Sequence, residues 1–388
     1  MRTLRIALAT IILSAFASAQ TLVFHNTMGS LPELSASVVG PALVPATGAD
    51  GLYVVATPWF APGIDGQAVG PGASAPPYFY HPNHSRVQLM RLDNDPPLVN
   101  LDRGTIEVIV RVLTPPLAGG PMNDIRLFDG PYGANSGLTL LIGDLLGNGQ
   151  MRVCFAIKGP ATAPGGVVQA HSNEDGQHGA DITGQIDTWL HIAAIWDRAG
   201  IAGSPDRMRI YVNGQLRATE DLSNWVTTLG PVFDIGGSTG EPLGRYLIDD
   251  VKLYDGAKTA FPPPFQLVVQ MGYLSGAVDV INAFGAPYHY AMNFFTFNTA
   301  NASGGLGSGW LAGLHMTMDE AFAEMGAMTS FVGPFFMPLD EFGNARVAYP
   351  TASLAFLSGM TLYGVGLHID PLTFQVDAMS VPFEFVIP

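Results

Sequence analysis

Short runs of β-favouring residues, separated by turn residues at close intervals, are the feature that most limits how this chain can fold. Gly, Pro, Asn or Asp stands between successive runs, as expected of turns that join strands. Long amphipathic helical patterns are missing. The sequence therefore predicts an all-β protein. The clearest runs are GTIEVIVRV (104–112), GLTLLIG (137–143), MRVCFAI (151–157), WLHIAAIW (189–196), RMRIYV (207–212) and LIDDVKLY (247–254).

Two Asn-Gly dipeptides predict where consecutive strands turn back on each other. Asn213-Gly214 lies between RIYV and QLRA, and Asn148-Gly149 lies in LLGNGQMRV. A two-residue type I′ turn needs positive φ at both central residues, which Asn and Gly tolerate. We therefore expect a β-hairpin at each dipeptide.

The N-terminus has the pattern of an export signal. Arg2 and Arg5 precede a short apolar run (6–16), and Ala17-Ser18-Ala19 before Gln20 forms an A-x-A cleavage site. The run is too short to cross a bilayer, which takes about 20 residues. We expect residues 1–19 to be removed and the mature protein to be secreted or held at the cell surface, with no transmembrane segment.

Charge and cysteine content narrow the class of partner. The formal net charge is −15 with only 17 Lys and Arg, so the chain has no basic footprint for nucleic acid or an anionic membrane. Cys154 is the single cysteine, which excludes an intramolecular disulfide. We expect Cys154 to be a small buried hydrophobe.

A change in composition marks a domain boundary near three consecutive prolines, 262–264. Such a run cannot lie in a central strand, and it stiffens the chain. After Ala260 lie 15 of the 22 Phe and nine of the 15 Met, while Arg346 is the only Lys or Arg there. We predict a domain at 20–257, a Pro-rich linker at 258–266 and a second, smaller β-sandwich-like domain at 267–388.

An ordered set of motifs in the first of these domains resembles the laminin G-like domains of the concanavalin A-like lectin and glucanase jelly rolls. The resemblance covers about residues 22–257 and implies two antiparallel sheets packed face to face. The motifs are GIDGQAVG (63–70), VNLDRGTIEVIVRV (99–112), LFDG (127–130), NSGLTLLIGDLLGNGQMRV (135–153), Trp189-x-His191 and IDDVKLYDGA (248–257).

The segment after the linker is similar to C-terminal β-modules of exported proteins of planctomycete and myxobacterial type. Alternating small, apolar and turn residues favour several strands here. One stretch, MTMDEAFAEMGAM (316–328), fits a short helix instead, because its acids and methionines recur every three or four residues.

Calcium is the metal that the loops could bind. A hard cation takes carboxylate and carbonyl oxygens, and Asn173, Glu174, Asp175 and Asp181 cluster in one Gly-containing loop. By resemblance, related jelly rolls hold calcium with an acid before the strand GLTLLIG, where this chain has Asn135, and with an Asp on the last strand. Asp249 or Asp250 matches the latter. Surface charge without a metal is the alternative, and calcium-site candidates are Asp249, Asn135 and Asp175.

No catalytic motif is evident in the sequence. Glucanases of the resembled family carry an E-x-D-x-E or E-x-D-x-x-E strand that places acid and nucleophile together. The strand of this chain that most resembles that motif is TIEVIVRV (105–112), and Glu107 is its single carboxylate. We expect a protein without catalytic activity, although a hydrolase assembled from residues distant in sequence stays open.

Two functions remain. The favoured one is an exported binding protein that recognises a glycan or a surface protein through the rim or concave face of the jelly roll, with aromatic rings stacked on sugars. The alternative is a structural cell-surface or assembly protein without a small ligand. The aromatic ligand-binding candidates lie in turn-rich stretches and are Trp59, Tyr78, Tyr80, Tyr132 and Trp225.

Overall fold

The computed structural model describes most of the chain between Gln20 and Pro388. The described residues are 20–45, 53–55, 58–64, 67–71, 86–95, 97–113, 124–130, 137–144, 148–158, 169–171, 173–174, 177–201, 203–221, 225, 229–230, 232–239, 246–258, 261, 263–272, 276–297, 306–328 and 333–388.

Among the described residues of the first part of the chain, the regular secondary structure is β-strand apart from one short helix, α1 (Leu31–Leu34). The strands are β1 (Leu22–Asn26), β2 (Val44–Pro45), β3 (Tyr53–Val55), β4 (Pro58–Pro62), β5 (Gln67–Pro71), β6 (Arg86–Asp93), β7 (Arg103–Val112), β8 (Asp124–Asp129), β9 (Leu138–Gly143), β10 (Arg152–Lys158), β11 (Gln169–His171), β12 (Asn173–Glu174), β13 (Gln177–His178), β14 (Ala180–Asp181), β15 (Trp189–Asp197), β16 (Met208–Val212), β17 (Gln215–Glu220), β18 (Val232–Thr239) and β19 (Tyr246–Tyr254).

The C-terminal part adds eight strands, the helices α2 (Met318–Met328) and α3 (Thr351–Leu354), and a 3₁₀ turn at Ala355–Leu357. Helix α2 confirms the helical interpretation of 316–328. The strands are β20 (Gln266–Met271), β21 (Ala277–Ala283), β22 (Tyr290–Thr296), β23 (Phe336–Pro338), β24 (Ala345–Pro350), β25 (Thr361–Ile369), β26 (Val376–Met379) and β27 (Phe383–Val386).

Two large sheets form a β-sandwich from the first nineteen strands. One has ten strands in the order β13-β12-β17-β16-β15-β7-β19-β5-β4, with β1 also beside β19. The other has nine, in the order β11-β10-β9-β8-β18-β6-β2, with β14 beside β10 and β3 beside β6. Among the described strands, only the β3–β6 pair is parallel.

Alternation along the strands builds the core between these two sheets. On β7, Ile106, Val108 and Val110 point inward and are fully buried. Trp196 of the ten-stranded sheet meets Phe155 of the nine-stranded sheet, with ring centroids 5.6 Å apart. The all-β class predicted from the sequence is confirmed, and so is the packing of two mainly antiparallel sheets face to face.

The structure confirms the predicted hairpin turn at Asn213-Gly214. Asn213 and Gly214 have φ of 49° and 77° and join β16 to β17. β9 and β10 also pair antiparallel, but residues 144–151 connect them and only Gly149 of the second dipeptide has positive φ, at 82°, so Asn148-Gly149 is not the two-residue type I′ turn that was predicted. Cys154 lies on β10 and is buried, as expected.

The C-terminal strands form two further sheets that stack on the sandwich. The three-stranded sheet β20-β21-β24 packs against the outer face of the ten-stranded sheet, where Trp189 contacts the cluster containing Val268 and Ile281. Its other face packs against the five-stranded sheet β23-β22-β25-β26/β27. Helix α2 covers the far side of that sheet through Ala321 and Met328. The described residues therefore form a stack of four sheets with helix α2 on its outer side.

The two parts of the chain also interlock. Phe342, from the turn before β24, is 3% exposed and belongs to the core of the first sandwich. In the predicted linker, Phe261 is buried against Ala193 and Ile195 of β15. The domain boundaries stay a prediction, but Lys258 and Phe261 of the predicted linker lie against the ten-stranded sheet. None of the described helices is both long and apolar enough to span a membrane.

Candidate functional site

A cluster of ionisable side chains lies on the outer face of the ten-stranded sheet, centred on Glu107 of β7. Because Ile106 and Val108 point into the core, Glu107 between them must point outward. Neighbouring strands bring His191 of β15 and Tyr254 of β19 to the same face. The start of the predicted linker adds Lys258.

Glu107 has three polar neighbours, although it is only 6% exposed. Lys258 Nζ donates to Oε1 at 2.6 Å, and the Tyr254 hydroxyl lies 3.5 Å from Oε2. His191 Nε2 lies 3.9 Å from Oε2. A buried carboxylate needs such compensation, because desolvation penalises its charged form.

The partners keep Glu107 ionised. Burial raises its pKa, but the hydrogen bonds and charges of His191 and Lys258 outweigh burial, so the pKa lies below its usual value. Glu107 is therefore a carboxylate at neutral pH and an acceptor of hydrogen bonds. It has no proton to donate as a general acid.

Tyr254 and Lys258 give the cluster an aromatic side and a positive charge. Burial, together with the charge of Glu107, raises the pKa of Tyr254 to about 12, so the phenol stays neutral. Lys258 Nζ lies 4.5 Å from the Tyr254 ring centroid and 4.6 Å from that of Phe261. The ammonium thus contacts two aromatic rings and one carboxylate.

A β-bulge places a second ion-pair group beside this cluster. The register of β7 and β19 shifts between Asp249 and Val251, and Asp250 has φ of 53°. His25 Nε2 lies 2.5 Å from Asp250 Oδ1, and Lys252 bonds to the other oxygen. Burial raises the pKa of Asp250, but the effect of these two partners is larger and opposite. The pKa therefore lies below its usual value, and Asp250 is ionised like Glu107.

The structure places Trp225, a predicted ligand contact, in the core instead. It is 3% exposed, and its indole N–H donates to the Leu101 carbonyl at 2.9 Å. The guanidinium of Arg198 lies 4.9 Å from its ring centroid. A ring this buried has no face on which a sugar could stack, so Trp225 is a packing residue.

The other aromatic candidates are not brought together by the described structure. Trp59 lies on β4, but its side chain falls outside the description. The remaining three lie outside the described residues: Tyr78, Tyr80 and Tyr132.

Of the calcium candidates, only Asp249 is described. It is 1% exposed, and its Oδ2 accepts the backbone N–H of Ile64 at 2.7 Å. Asn135 and Asp175 lie outside the described residues. The calcium site stays a prediction.

A second cluster of metal-ligand type, which sequence reasoning missed, joins His289, His368 and Asp377. Both Nδ1 atoms face Asp377 Oδ2, at 3.5 Å for His289 and 3.8 Å for His368. Sequence spacing gave no signal for it, because β22, β25 and β26 meet only in the folded sheet.

The geometry of this cluster does not suit a transition metal. The two imidazoles are stacked with planes 4° from parallel and centroids 4.7 Å apart. A metal–imidazole bond of about 2.0–2.1 Å lies in the ring plane, and one ion cannot lie in two separated parallel planes. In addition, Ala286 N–H donates to His368 Nε2 at 3.0 Å, which puts the proton of the neutral ring on Nδ1.

Part of the chain matches a known family. Residues 146–260 match the profile of laminin G-like domains described as the concanavalin A-like lectin/glucanases superfamily. This range includes β15 and β19, which carry His191 and Tyr254. No curated protein matches the chain.

Solved structures show distant likenesses. Domain 4 of an extracellular arabinanase from Geobacillus stearothermophilus, in complex with arabinotriose, is 16% identical with a TM-score of 0.38, covering 61% of this chain and 94% of its own. The receptor-binding domain of botulinum neurotoxin type G is 12% identical with a TM-score of 0.38, covering 96% of this chain and 79% of its own. Likenesses this distant carry no inference about a ligand or a reaction.

Proposed function

We propose that this chain is an exported, non-catalytic carbohydrate-binding protein that holds a glycan beside Glu107 on the outer face of the ten-stranded sheet. The observation that carries the proposal is the grouping of the Glu107 carboxylate, the Lys258 ammonium and the partly exposed phenol ring of Tyr254. Sugar hydroxyls bond to such charged and phenolic groups, and aromatic rings pack on sugar faces. The lectin/glucanase profile over residues 146–260 supports the same class of ligand.

The protonation states favour binding over hydrolysis. Glycosidases of the common kind need one protonated and one ionised carboxyl group across the scissile bond. The pKa values of Glu107 and Asp250 are both lowered, so neither of these two neighbouring groups has a proton to give at neutral pH. Export rests on the N-terminal signal pattern of residues 1–19.

A structural role at the cell surface is the second candidate. Glu107 is only 6% exposed, and the three-stranded sheet covers another part of the same face through Val268 and Ile281. A sheet face that is covered by other parts of a protein suits a spacer or an assembly unit. In that case the contact of Lys258 with Glu107 serves to fix the linker to the sheet.

Affinity electrophoresis and a glycan array on the mature protein test the proposal. We expect retention on at least one polysaccharide without release of reducing ends. Tyr254→Phe removes one hydroxyl and should weaken retention about tenfold, close to 1.4 kcal/mol. Tyr288→Phe is the matched control, because Tyr288 is 69% exposed and lies in the C-terminal part.

Three results separate the alternatives. Reducing sugar released in proportion to protein would overturn the non-catalytic assignment. Absence of retention on every glycan would favour the structural role. Equal retention by the Tyr254 and Tyr288 variants would place the glycan on a different surface.

A further inference from the structure

Most of the exposed large apolar side chains of the described structure lie in the C-terminal part of the chain. Among the described residues, fifteen of the nineteen exposed large hydrophobic side chains follow Phe284. Eight of them surround the outermost strands of the five-stranded sheet, and we call this group the apolar edge. Its members are Phe356, Met360, Leu372, Phe374, Val376, Met379, Val381 and Val386, with exposed fractions from 41% to 89%.

The apolar edge coincides with an open edge of the sheet. β25 pairs with β22 on one side, and on its other side with β26 and β27 in turn. Within the described chain, neither β26 nor β27 pairs with a further strand. The N–H and C=O groups on the outer side of β26 and β27 therefore point away from the sheet, as pairing with another strand requires.

The formal charges along this edge have one sign. Asp370, Asp377 and Glu384 lie within or beside its strands. Arg346 is the only Lys or Arg after Lys258, and its guanidinium is held by Asp187 and Asp279. Lysine, the residue that commonly protects sheet edges, is thus absent from the sequence of this edge.

An exposed apolar edge strand is a template for another strand, and large exposed apolar patches mark binding surfaces. The charge then selects among occupants. A second copy that paired edge to edge would bring carboxylates against carboxylates, and anionic lipid and nucleic acid are repelled for the same reason. A strand that carries both cationic and apolar side chains pairs with the backbone of the edge, packs on its apolar side chains and complements its negative charge.

We propose that the apolar edge docks an extended, cationic and apolar segment of a partner protein, which adds to the sheet as a strand beside β26 and β27. Backbone hydrogen bonds supply affinity in this mode, and alternate side chains supply specificity. The proposal is independent of glycan binding, because it concerns a different sheet.

The probe is a fluorescent, end-capped octapeptide of alternating lysine and valine, and the comparison peptide alternates glutamate and valine. Fluorescence anisotropy with the full mature chain should show at least about tenfold tighter binding of the lysine peptide, weakening as salt is added. Val386→Lys and Val376→Lys should each reduce that binding about tenfold.

Val38→Lys is the matched control, because Val38 is 63% exposed in the first sandwich and the substitution adds the same charge elsewhere. It should leave binding within about twofold. Val386→Thr separates the effect of charge from that of packing. It removes apolar surface without adding a charge, and it keeps a β-branched side chain. All variants are compared only where their melting temperatures match the native protein.

Equal loss of binding in the Val38 and Val386 variants would reduce the interaction to net charge and overturn the proposal. Equal binding of the two peptides would do the same. A native dimer in sedimentation velocity that Val386→Lys converts to a monomer would assign the edge to a second copy instead.

Discussion

The guanidinium of Arg111 and the carboxylate of Asp279 are in direct contact, with Nη2 and Oδ2 2.9 Å apart, although 168 residues separate them in the chain. Arg111 lies on the outer face of β7, and Asp279 lies on β21 of the three-stranded sheet. Asp187 binds Arg111 and Arg346, and Arg346 also binds Asp279. Two arginines and two aspartates thus join the C-terminal part to the first sandwich.

This tetrad predicts a large cost for removing one charge. Asp279→Asn leaves two guanidiniums with a single carboxylate in a buried site, because Asp279 is 0% exposed. We expect the free energy of unfolding to fall by about 3–5 kcal/mol, measured by urea denaturation. Asp102→Asn is the control. It alters the ion pair between Asp102 and Arg198, in which the Asp102 carboxylate is 76% exposed, and it should cost less than about 1 kcal/mol. Equal costs would show that the tetrad is hydrated in solution.

Phe342 predicts that the two parts of the chain unfold together. Its ring fills the core of the first sandwich and lies 4.2 Å from the Arg217 guanidinium. Phe342→Ala should lower the free energy of unfolding by about 3–5 kcal/mol. Phe356→Ala, at a position 80% exposed, should change it by no more than about 0.5 kcal/mol. A separate early transition in the native protein would contradict this coupling.

Glu324 predicts a fall in stability as pH rises. Its Oε2 accepts the Phe295 N–H at 3.0 Å on the edge of β22. Burial, with a contribution from Glu320, raises its pKa from 4.5 to about 7. A folded-state pKa above the unfolded value means stability that is complete below the unfolded pKa and is lost as pH passes through the folded one.

Glu324→Gln keeps the acceptor and removes the titration. The melting temperature of the variant should therefore change less than that of the native protein between about pH 4.5 and pH 8. Asp319→Asn, an exposed position on the same helix, is the control. Identical pH profiles for the native protein and the Glu324 variant would refute the assignment.

The predicted calcium site gives a thermal test. A ligand that binds only the native state stabilises it by mass action, so excess calcium should raise the melting temperature and a chelator should lower it. Asp249→Asn should abolish the shift while keeping an acceptor for the Ile64 N–H. A melting temperature unaffected by calcium would leave the Asp249 carboxylate as a purely structural acceptor.

Local sequence was sufficient for the clearest strands of the first sandwich and for one hairpin turn. The run WLHIAAIW predicted β15 because β-favouring apolar residues dominate it, and Asn213-Gly214 predicted its hairpin because both positions require positive φ. Both signals act between residues close in sequence. The family resemblance then supplied the sandwich, which alternation alone does not specify.

The side-chain clusters required the tertiary structure. Glu107 has no carboxylate partner on its own strand, and its neighbours Tyr254 and Lys258 come from more than 140 residues away. Trp225 lies in a turn-rich stretch that predicts exposure, yet its ring is in the core because the Leu101 carbonyl accepts its N–H there. Composition indicated a second unit after Pro264, but could not indicate that Phe342 enters the core of the first.

The sequence by itself thus determined the all-β class, the Asn213-Gly214 hairpin and the buried cysteine, because these depend on local conformation and on composition. Only the tertiary structure decided which outward-facing residues meet, which aromatic rings are buried, and which faces of the sheets are covered. Those outcomes depend on the register and stacking of strands far apart in the chain, and the packing of whole faces selects them rather than any local pattern.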